Sequence, residues 1–197
     1  LKNKIDYLAS FLILILLLTL FLIIIIYIII FMGRPIIFKQ IRPGLNNKPF
    51  EIYKFRTMDV NNELYGDIKS DFLRLNKYGK FLRSTSLDEL PSLINVLKGE
   101  MSFIGPRPLL MEYLNLYSDE QKKRHNVKPG ISGLAQISGR NKLTWEEKFR
   151  KDIYYVNNIN FLLDLKILFL TILKVILRNG INSSDRETCK PFTGNKN

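Results

Sequence analysis

Between Leu8 and Met32 the chain runs LASFLILILLLTLFLIIIIYIIIFM without a charged residue. As a straight helix this run would reach roughly 37 Å, and about 20 apolar residues suffice to cross a bilayer. A soluble core does not readily surround a helix this long that is apolar on every side. A cleaved signal peptide is disfavoured, because such apolar regions rarely exceed ~15 residues and no small-x-small exit precedes Gly33. The segment is therefore expected to be a permanent membrane element. Lys2 and Lys4 precede it, and Arg34, Lys39, Arg42 and Lys48 follow. Cationic flanks prefer the cytoplasmic side. A spanning helix would leave Lys2 and Lys4 outside, whereas a segment that enters and returns would keep both ends inside. No Pro or Gly interrupts the run, which by itself favours spanning. Leu1 in place of an initiator Met suggests a trimmed N-terminus.

Downstream of Gly33 the sequence changes to a globular pattern. PIIFKQ (Pro35 to Gln40) and FEIYKFRT (Phe50 to Thr57) read as β-runs joined by RPGLNNKP, a hairpin-like connection. Met58 to Ser70 is polar and reads as a loop. Asp71 to Arg83 is expected to be helical, with Gly79 as its weak point, and Leu87 to Leu97 forms a second short helix closed by Lys98 and Gly99. NFLLDLKILFLTILKVILR, from Asn160 to Arg178, gathers Asp164, Thr171, Lys174 and Arg178 within roughly an 80° stripe, with Lys166 off it. It reads either as a core helix with one solvated edge or as an interfacial helix with outward-pointing cations. The fold class is α+β and mostly helical. Residues 1–33 form the membrane helix, 34–182 a membrane-associated catalytic domain with a short β-hairpin, and 183–197 a polar tail.

Charge and rare residues narrow the chemistry. Thirty Lys and Arg against 18 Asp and Glu leave a net charge of +12 in 197 residues. An anionic leaflet uses such a charge at about 1 kcal/mol per basic residue. Nucleic acid is not an expected partner, since no recognition helix or aromatic-interleaved basic strand is present. Cys189 and His125 are the sole residues of their types, which excludes a disulfide framework within one chain and leaves a Cys/His zinc site nearly without ligands. His125 lies in a Lys/Arg-rich run and reads as a surface residue; Trp145 reads as a packing or interfacial anchor. Carboxylates, Lys, Arg and a hard metal ion remain.

The stretch LRSTSLDELPSLINVLKGEMSFIGPRPL, from Leu82 to Leu109, concentrates these groups. Ser86-Leu87-Asp88-Glu89 matches a capping box, but Pro91 would then stand where a helix needs an N–H. With Asp88 as the cap, Pro91 falls harmlessly in the first turn. Either way a carboxylate sits at a helix start, a place that also draws phosphate oxygens. Pro106-Arg107-Pro108 stiffens the backbone on both sides of one Arg, which favours bidentate anion binding. Gly139-Arg140-Asn141 offers a second isolated Arg, and Lys54 and Arg56 add two further cations.

Together these segments resemble the small monotopic phosphoglycosyl transferases of bacteria. The likeness is carried by RPGL (Arg42 to Leu45), IYKFRTM (Ile52 to Met58), LRSTSLDELPSLINVLKGEMSFIGPRPLL (Leu82 to Leu110), RHNVKPGISGLAQISGRN (Arg124 to Asn141), DIYYVNN (Asp152 to Asn158) and the terminal KPFTGNKN. It extends over nearly the whole chain and looks closest to the enzymes that start bacterial N-linked glycan assembly on a bacillosamine-type sugar. The resemblance implies transfer of a sugar-1-phosphate from a UDP-sugar to undecaprenyl phosphate at the cytoplasmic face of the bacterial inner membrane, releasing UMP through a covalent enzyme intermediate. Asp88 would be the nucleophile and a Mg²⁺ contact, and Glu89 would handle the proton or position the dyad. Arg83, Arg107 and Arg140 would bind or organise around the nucleotide phosphates, with Pro106 and Pro108 on either side of Arg107 also substrate-binding, Lys54 near the dyad and Asp152 an active-site neighbour. It also implies a membrane helix that turns back at a Ser-Pro break, where Leu18-Thr19 stands here; a re-entrant or strongly tilted helix is expected. The competing reading is a non-catalytic, membrane-anchored basic adaptor for anionic lipid or an acidic partner.

Overall fold

The computed structural model describes residues 2–59, 74–139, 143–177 and 191–194. The apolar run folds as two helices, α1 (Lys2–Leu16) and α2 (Leu18–Met32), which meet at Leu17 with a bend of 63°. Neither Pro nor Gly lies at the break, so tertiary anchors must account for the bend. At the foot of α1, the Lys2 ammonium donates to the Ile104 carbonyl (3.0 Å), the Tyr155 hydroxyl (2.7 Å) and Asp164 Oδ2 (2.7 Å). One turn on, Asp6 accepts from Ser102 Oγ at 2.7 Å. At the far end of α2, the Arg56 guanidinium donates to the carbonyls of Met32 and Gly33, satisfying acceptors that a helix terminus leaves free.

The expected hairpin is present as β1 (Ile37–Pro43) and β2 (Pro49–Phe55), paired antiparallel with Ile37 opposite Phe55 and Pro43 opposite Pro49. Asn46 and Asn47 take positive φ in the connection, which short polar side chains tolerate. Helix α3 spans Lys77–Ser84, capped by the Asn76 side chain; the earlier residues of the expected Asp71 to Arg83 helix lie outside the described residues up to position 73. Gly79 is a close approach rather than a weak point: a Cβ there would meet the Thr57 carbonyl oxygen at 1.8 Å.

The expected Leu87 to Leu97 helix divides in two. Leu87–Glu89 is a single 3₁₀ turn, and α4 (Ser92–Leu97) begins only after Pro91, which occupies its N-cap. Ser86 adopts a left-handed conformation (φ 57, ψ 15) and makes no side-chain cap. Both capping assignments for Ser86 and Asp88 are thereby corrected: Pro91 defers the helix, and neither carboxylate serves it. Two short strands then pair in parallel, β3 (Ser102–Ile104) and β4 (Gly130–Ser132). Beyond them, α5 (Asp119–Lys122), α6 (Leu134–Ser138), α7 (Trp145–Asn157) and α8 (Phe161–Ile176) close the body.

Helix α8 has its amphipathicity reversed relative to a soluble helix. Its polar stripe points into the protein, where Asp164 takes the Lys2 and Tyr155 bonds and Thr171 pairs with Ser132 at 2.6 Å. Ile167 beside them is fully buried, whereas Phe161, Leu162, Phe169 and Ile176 stand 60–74% exposed. The core-helix reading, in which the polar stripe is the solvated edge, is therefore overturned at Asp164 and Thr171; Lys174 is half-buried, and Arg178 lies outside the described residues. The tail also departs from a purely solvated segment, because Phe192 is buried among Tyr113, Tyr117 and Phe149.

The tight crossing of α3 over Thr57, in the segment that follows β2, gives a direct test. Gly79→Ala is expected to destabilise the protein by about 2–4 kcal/mol, as forced overpacking against backbone does, read as a lower thermal midpoint. An unchanged midpoint would contradict the crossing.

Candidate functional site

The site lies where β2, the 3₁₀ turn and the loop after β3 converge. Strand β2 is fixed to α4 by two buried side chains. Ser92 Oγ donates to the Tyr53 carbonyl, and Asn95 accepts from the Tyr53 N–H and donates to the Glu51 carbonyl. This sets Lys54 directly beside the turn that carries the acids. Its ammonium donates to Glu89 Oε1 at 2.6 Å, and Arg107 Nη1 reaches the same oxygen at 3.1 Å. Arg83, in the last turn of α3, donates through Nε to Thr57 Oγ1 at 2.9 Å and lies close enough to Asp88 to act on its charge. Asp88, Glu89, Lys54, Arg83 and Arg107 are thus brought together; Arg140 lies outside the described residues.

The two carboxyl groups are driven apart in acidity. Asp88 is 9% exposed and makes no hydrogen bond among the described residues. Burial, reinforced by the neighbouring Glu89 charge, pushes it up to about 6, against the pull of Lys54, Arg83 and Arg107. Burial also works on Glu89, but Lys54 and Arg107 outweigh it and hold this carboxyl well below the usual range. Burial depresses Lys54, partly offset by Glu89, while Glu89 raises Arg107. At neutral pH the centre therefore holds a fixed anion braced by two cations, beside a desolvated and unusually basic carboxylate.

The Pro106-Arg107-Pro108 turn is pinned from behind. Both prolines are buried while Arg107 faces out. The Pro106 carbonyl accepts from the Gly130 N–H at 3.0 Å, and the Arg107 carbonyl accepts from Arg124 Nη2 at 2.7 Å. Arg124 is in turn held by Asp152 Oδ2 through Nε and Nη2, at 3.2 and 2.8 Å, both side chains being almost fully buried. Asp152 accordingly supports the site through Arg124 rather than lining it. His125 is buried, not on the surface. Burial and the adjacent Arg124 push its imidazole down to about 4, so it is neutral. Trp145 packs on Tyr113 and Phe149, in keeping with an anchor.

Sequence reasoning missed Arg42 as a member of this neighbourhood. Burial and the nearby Arg107 push its guanidinium down to about 10, so it adds positive charge beside the turn. Its signal is the Arg of RPGL, a stretch that carries the family likeness without assigning Arg42 a place in the site. Asn95 and Arg124 carried no local pattern, since their partners lie tens of residues away. No group of three or more His, Cys, Asp or Glu side chains converges among the described residues, so any metal here would depend on one or two carboxylates and on oxygens brought by a substrate.

The sequence model for bacterial sugar transferases matches residues 1–178. An uncharacterised sugar transferase of Bacillus subtilis, EpsL, is 54% identical over 163 residues, 83% of this chain and 81% of the relative. A UDP-glucose:undecaprenyl-phosphate glucose-1-phosphate transferase of Klebsiella pneumoniae is 45% identical over 150 residues, 71% of this chain but 32% of that longer protein. An undecaprenyl-phosphate galactose phosphotransferase of Salmonella typhimurium is 38% identical over 165 residues, 75% of this chain and 35% of its own length. These names carry glucose and galactose, and none of the three supports the bacillosamine-type assignment.

The raised Asp88 value has a consequence for stability. The folded protein holds this proton more tightly than the unfolded chain, so the stability linked to Asp88 is full below about pH 4 and is lost as pH rises through about 6. Asp88→Asn is therefore expected to melt several degrees higher than the unaltered protein at pH 8, with the difference vanishing near pH 4. A difference independent of pH would show that Asp88 is not held in this way.

Proposed function

Belonging as it does to the bacterial sugar transferase family, the chain, we propose, moves a sugar-1-phosphate from a UDP-sugar to undecaprenyl phosphate and releases UMP, through an aspartyl intermediate on Asp88. The observation that carries this reading is the Asp88 carboxyl: buried, freed from helix capping, without a hydrogen bond among the described residues, and beside a Glu89 already neutralised by Lys54 and Arg107. A surface adaptor has no use for a desolvated, basic carboxylate.

In the first step an oxygen of Asp88 attacks the phosphorus that bears the sugar. The bond from that phosphorus to the bridging oxygen breaks, and UMP departs with the electron pair. In the second, a phosphate oxygen of the lipid attacks the same phosphorus and the acyl-phosphate bond to Asp88 breaks, regenerating the carboxylate. An unshielded carboxylate at 4 Å from a phosphate charge meets about 4 kcal/mol of repulsion per charge pair at an effective dielectric of 20. Arg107, Arg83 and Lys54 supply fixed positive charge against that repulsion. Asp88 is a hard oxygen donor suited to Mg²⁺, which prefers one or two carboxylates completed by phosphate oxygens and water. When bound, the ion would add further charge neutralisation at the diphosphate.

The exposed apolar surfaces support a membrane-seated enzyme. Two arms of about 22 Å, bent by 63°, put the apex only about 12 Å from the line joining their ends, against roughly 30 Å of hydrocarbon. That depth favours entry and return within one leaflet. With the apolar face of α8 in the headgroup layer, the lipid substrate's phosphate would meet the site at the same level.

Purified protein given Mg²⁺ and a panel of UDP-sugars without lipid is expected to release one equivalent of UMP or less and to gain the mass of a phosphosugar on the Leu87 to Leu90 peptide. Undecaprenyl phosphate should then restore turnover, and Asp88→Asn should abolish it. UMP release by Asp88→Asn at the normal rate would sink the assignment. For the topology, Lys4→Cys and Lys48→Cys in a Cys189→Ser background should both react with an impermeant maleimide from one side of sealed vesicles. Labelling from opposite sides would establish a spanning helix.

A further inference from the structure

The family match ends at residue 178, yet the described stretch Pro191–Gly194 returns to the body immediately behind the Arg107 turn. Phe192 is 5% exposed. Its ring meets those of Tyr113, Tyr117, Trp145 and Phe149 with centroids 5.7, 5.9, 5.5 and 5.0 Å away. Its N–H donates to the Tyr113 hydroxyl at 3.2 Å. Leu109 and Leu110, which directly follow the Pro106-Arg107-Pro108 turn, pack on the same cluster. A single ring near the chain end therefore fills the floor beneath that turn.

The cluster also touches the arginine that holds the turn in place. The Arg124 guanidinium lies over the rings of Tyr117 and Phe149, 5.8 Å from each centroid, and donates to the Tyr117 hydroxyl at 3.4 Å. Both rings pack against Phe192. From Arg124 the connection runs to the Arg107 carbonyl and, through the Arg107 side chain, to Glu89. Without Phe192, Tyr117 and Phe149 would border a cavity, and close-packed aromatic neighbours relax toward such voids only in part.

We infer that Phe192 is a positioning residue for the phosphate-binding site: by filling the aromatic floor it fixes Tyr117 and Arg124, and through them the Arg107 turn that meets the donor's diphosphate. The inference rests on the proposed use of Arg107 toward a UDP-sugar. Phe192 itself touches no substrate. The ring belongs to the KPFTGNKN stretch, beyond the residues 1–178 that the family model spans, so its effect on donor affinity would be exerted from outside that span.

UDP is the probe, because it carries the uridine and diphosphate common to any donor of this class. Calorimetric titration of the purified full-length chain with UDP in Mg²⁺ would compare the unaltered protein with Phe192→Ala, Arg107→Ala and the double variant, each with its thermal midpoint. Phe192→Ala is expected to weaken UDP binding about tenfold, the scale on which small misplacements of a binding group act. Phe192→Leu, which refills much of the volume, should recover most of that loss. The double variant should bind UDP no more weakly than Arg107→Ala alone, because Phe192 acts through Arg107. Normal UDP affinity in Phe192→Ala with a lowered midpoint would reduce Phe192 to packing and overturn the inference. Additive losses in the double variant would overturn it equally. If the unaltered protein fails to bind UDP, the reading of the whole site falls; if it binds and Phe192→Ala binds equally well, only the role of Phe192 falls.

Discussion

One oxygen of Glu89 joins the parts of this site. It receives Lys54 from β2 and Arg107 from the loop after β3, two groups that lie far apart in the chain. Both cations are drawn inward by this anion, and Glu89 stays ionised because both are there. Asp88, next in the chain, is left with burial and a fixed negative neighbour, which raise its basicity. Lys54, Arg83 and Arg107 all act on Asp88, three positive charges against the two adjacent carboxylates, so the acidic turn stays in a net cationic surrounding. The arrangement leaves a basic carboxylate inside a field that attracts a diphosphate, the pairing a phosphoryl transfer through a carboxylate requires.

Much of this could be read from residue types and spacing. Pro91 makes a helix starting at Ser86 untenable, which leaves Asp88 and Glu89 at the start of the turn before it. The hairpin followed from two β-runs around RPGLNNKP, and the helical run beginning at Asn160 is α8. The acidic turn was nonetheless placed wrongly, as a helix start, because a 3₁₀ turn and an α-helical first turn draw on the same residues. His125 looked superficial because its sequence neighbours are Lys and Arg; its burial depends on packing with Tyr117, which no local pattern encodes. Arg124 and Asp152 form a buried pair across 28 positions, and Phe192 reaches Tyr113 across 79. Partners so far apart leave no periodic trace.

Helix α8 shows a different limit. Its periodicity defined a polar stripe and an apolar face correctly, but periodicity does not say which face meets protein. In water the apolar face turns inward. Here Asp164 and Thr171 are consumed by Lys2, Tyr155 and Ser132, while Phe161, Leu162, Phe169 and Ile176 stay outside. An exposed apolar face of that length is stable only against another apolar phase or partner. The polar stripe is occupied because α1 needs an acceptor for Lys2, so the orientation of α8 and the anchoring of α1 are settled together.

The bend at Leu17 follows from the same frame. The foot of α1 is bonded to Ser102 and Ile104 of β3, and the next residues, Gly105 to Pro108, form the Arg107 turn. The end of α2 is bonded by Arg56, two residues beyond Lys54. The apolar arms are thus attached to the two chain segments whose cations meet on Glu89, so the separation of their feet is fixed by the geometry of the site. Two helices of equal length on fixed, separated feet must meet at an angle. A proline is then unnecessary, because the angle is imposed from the ends.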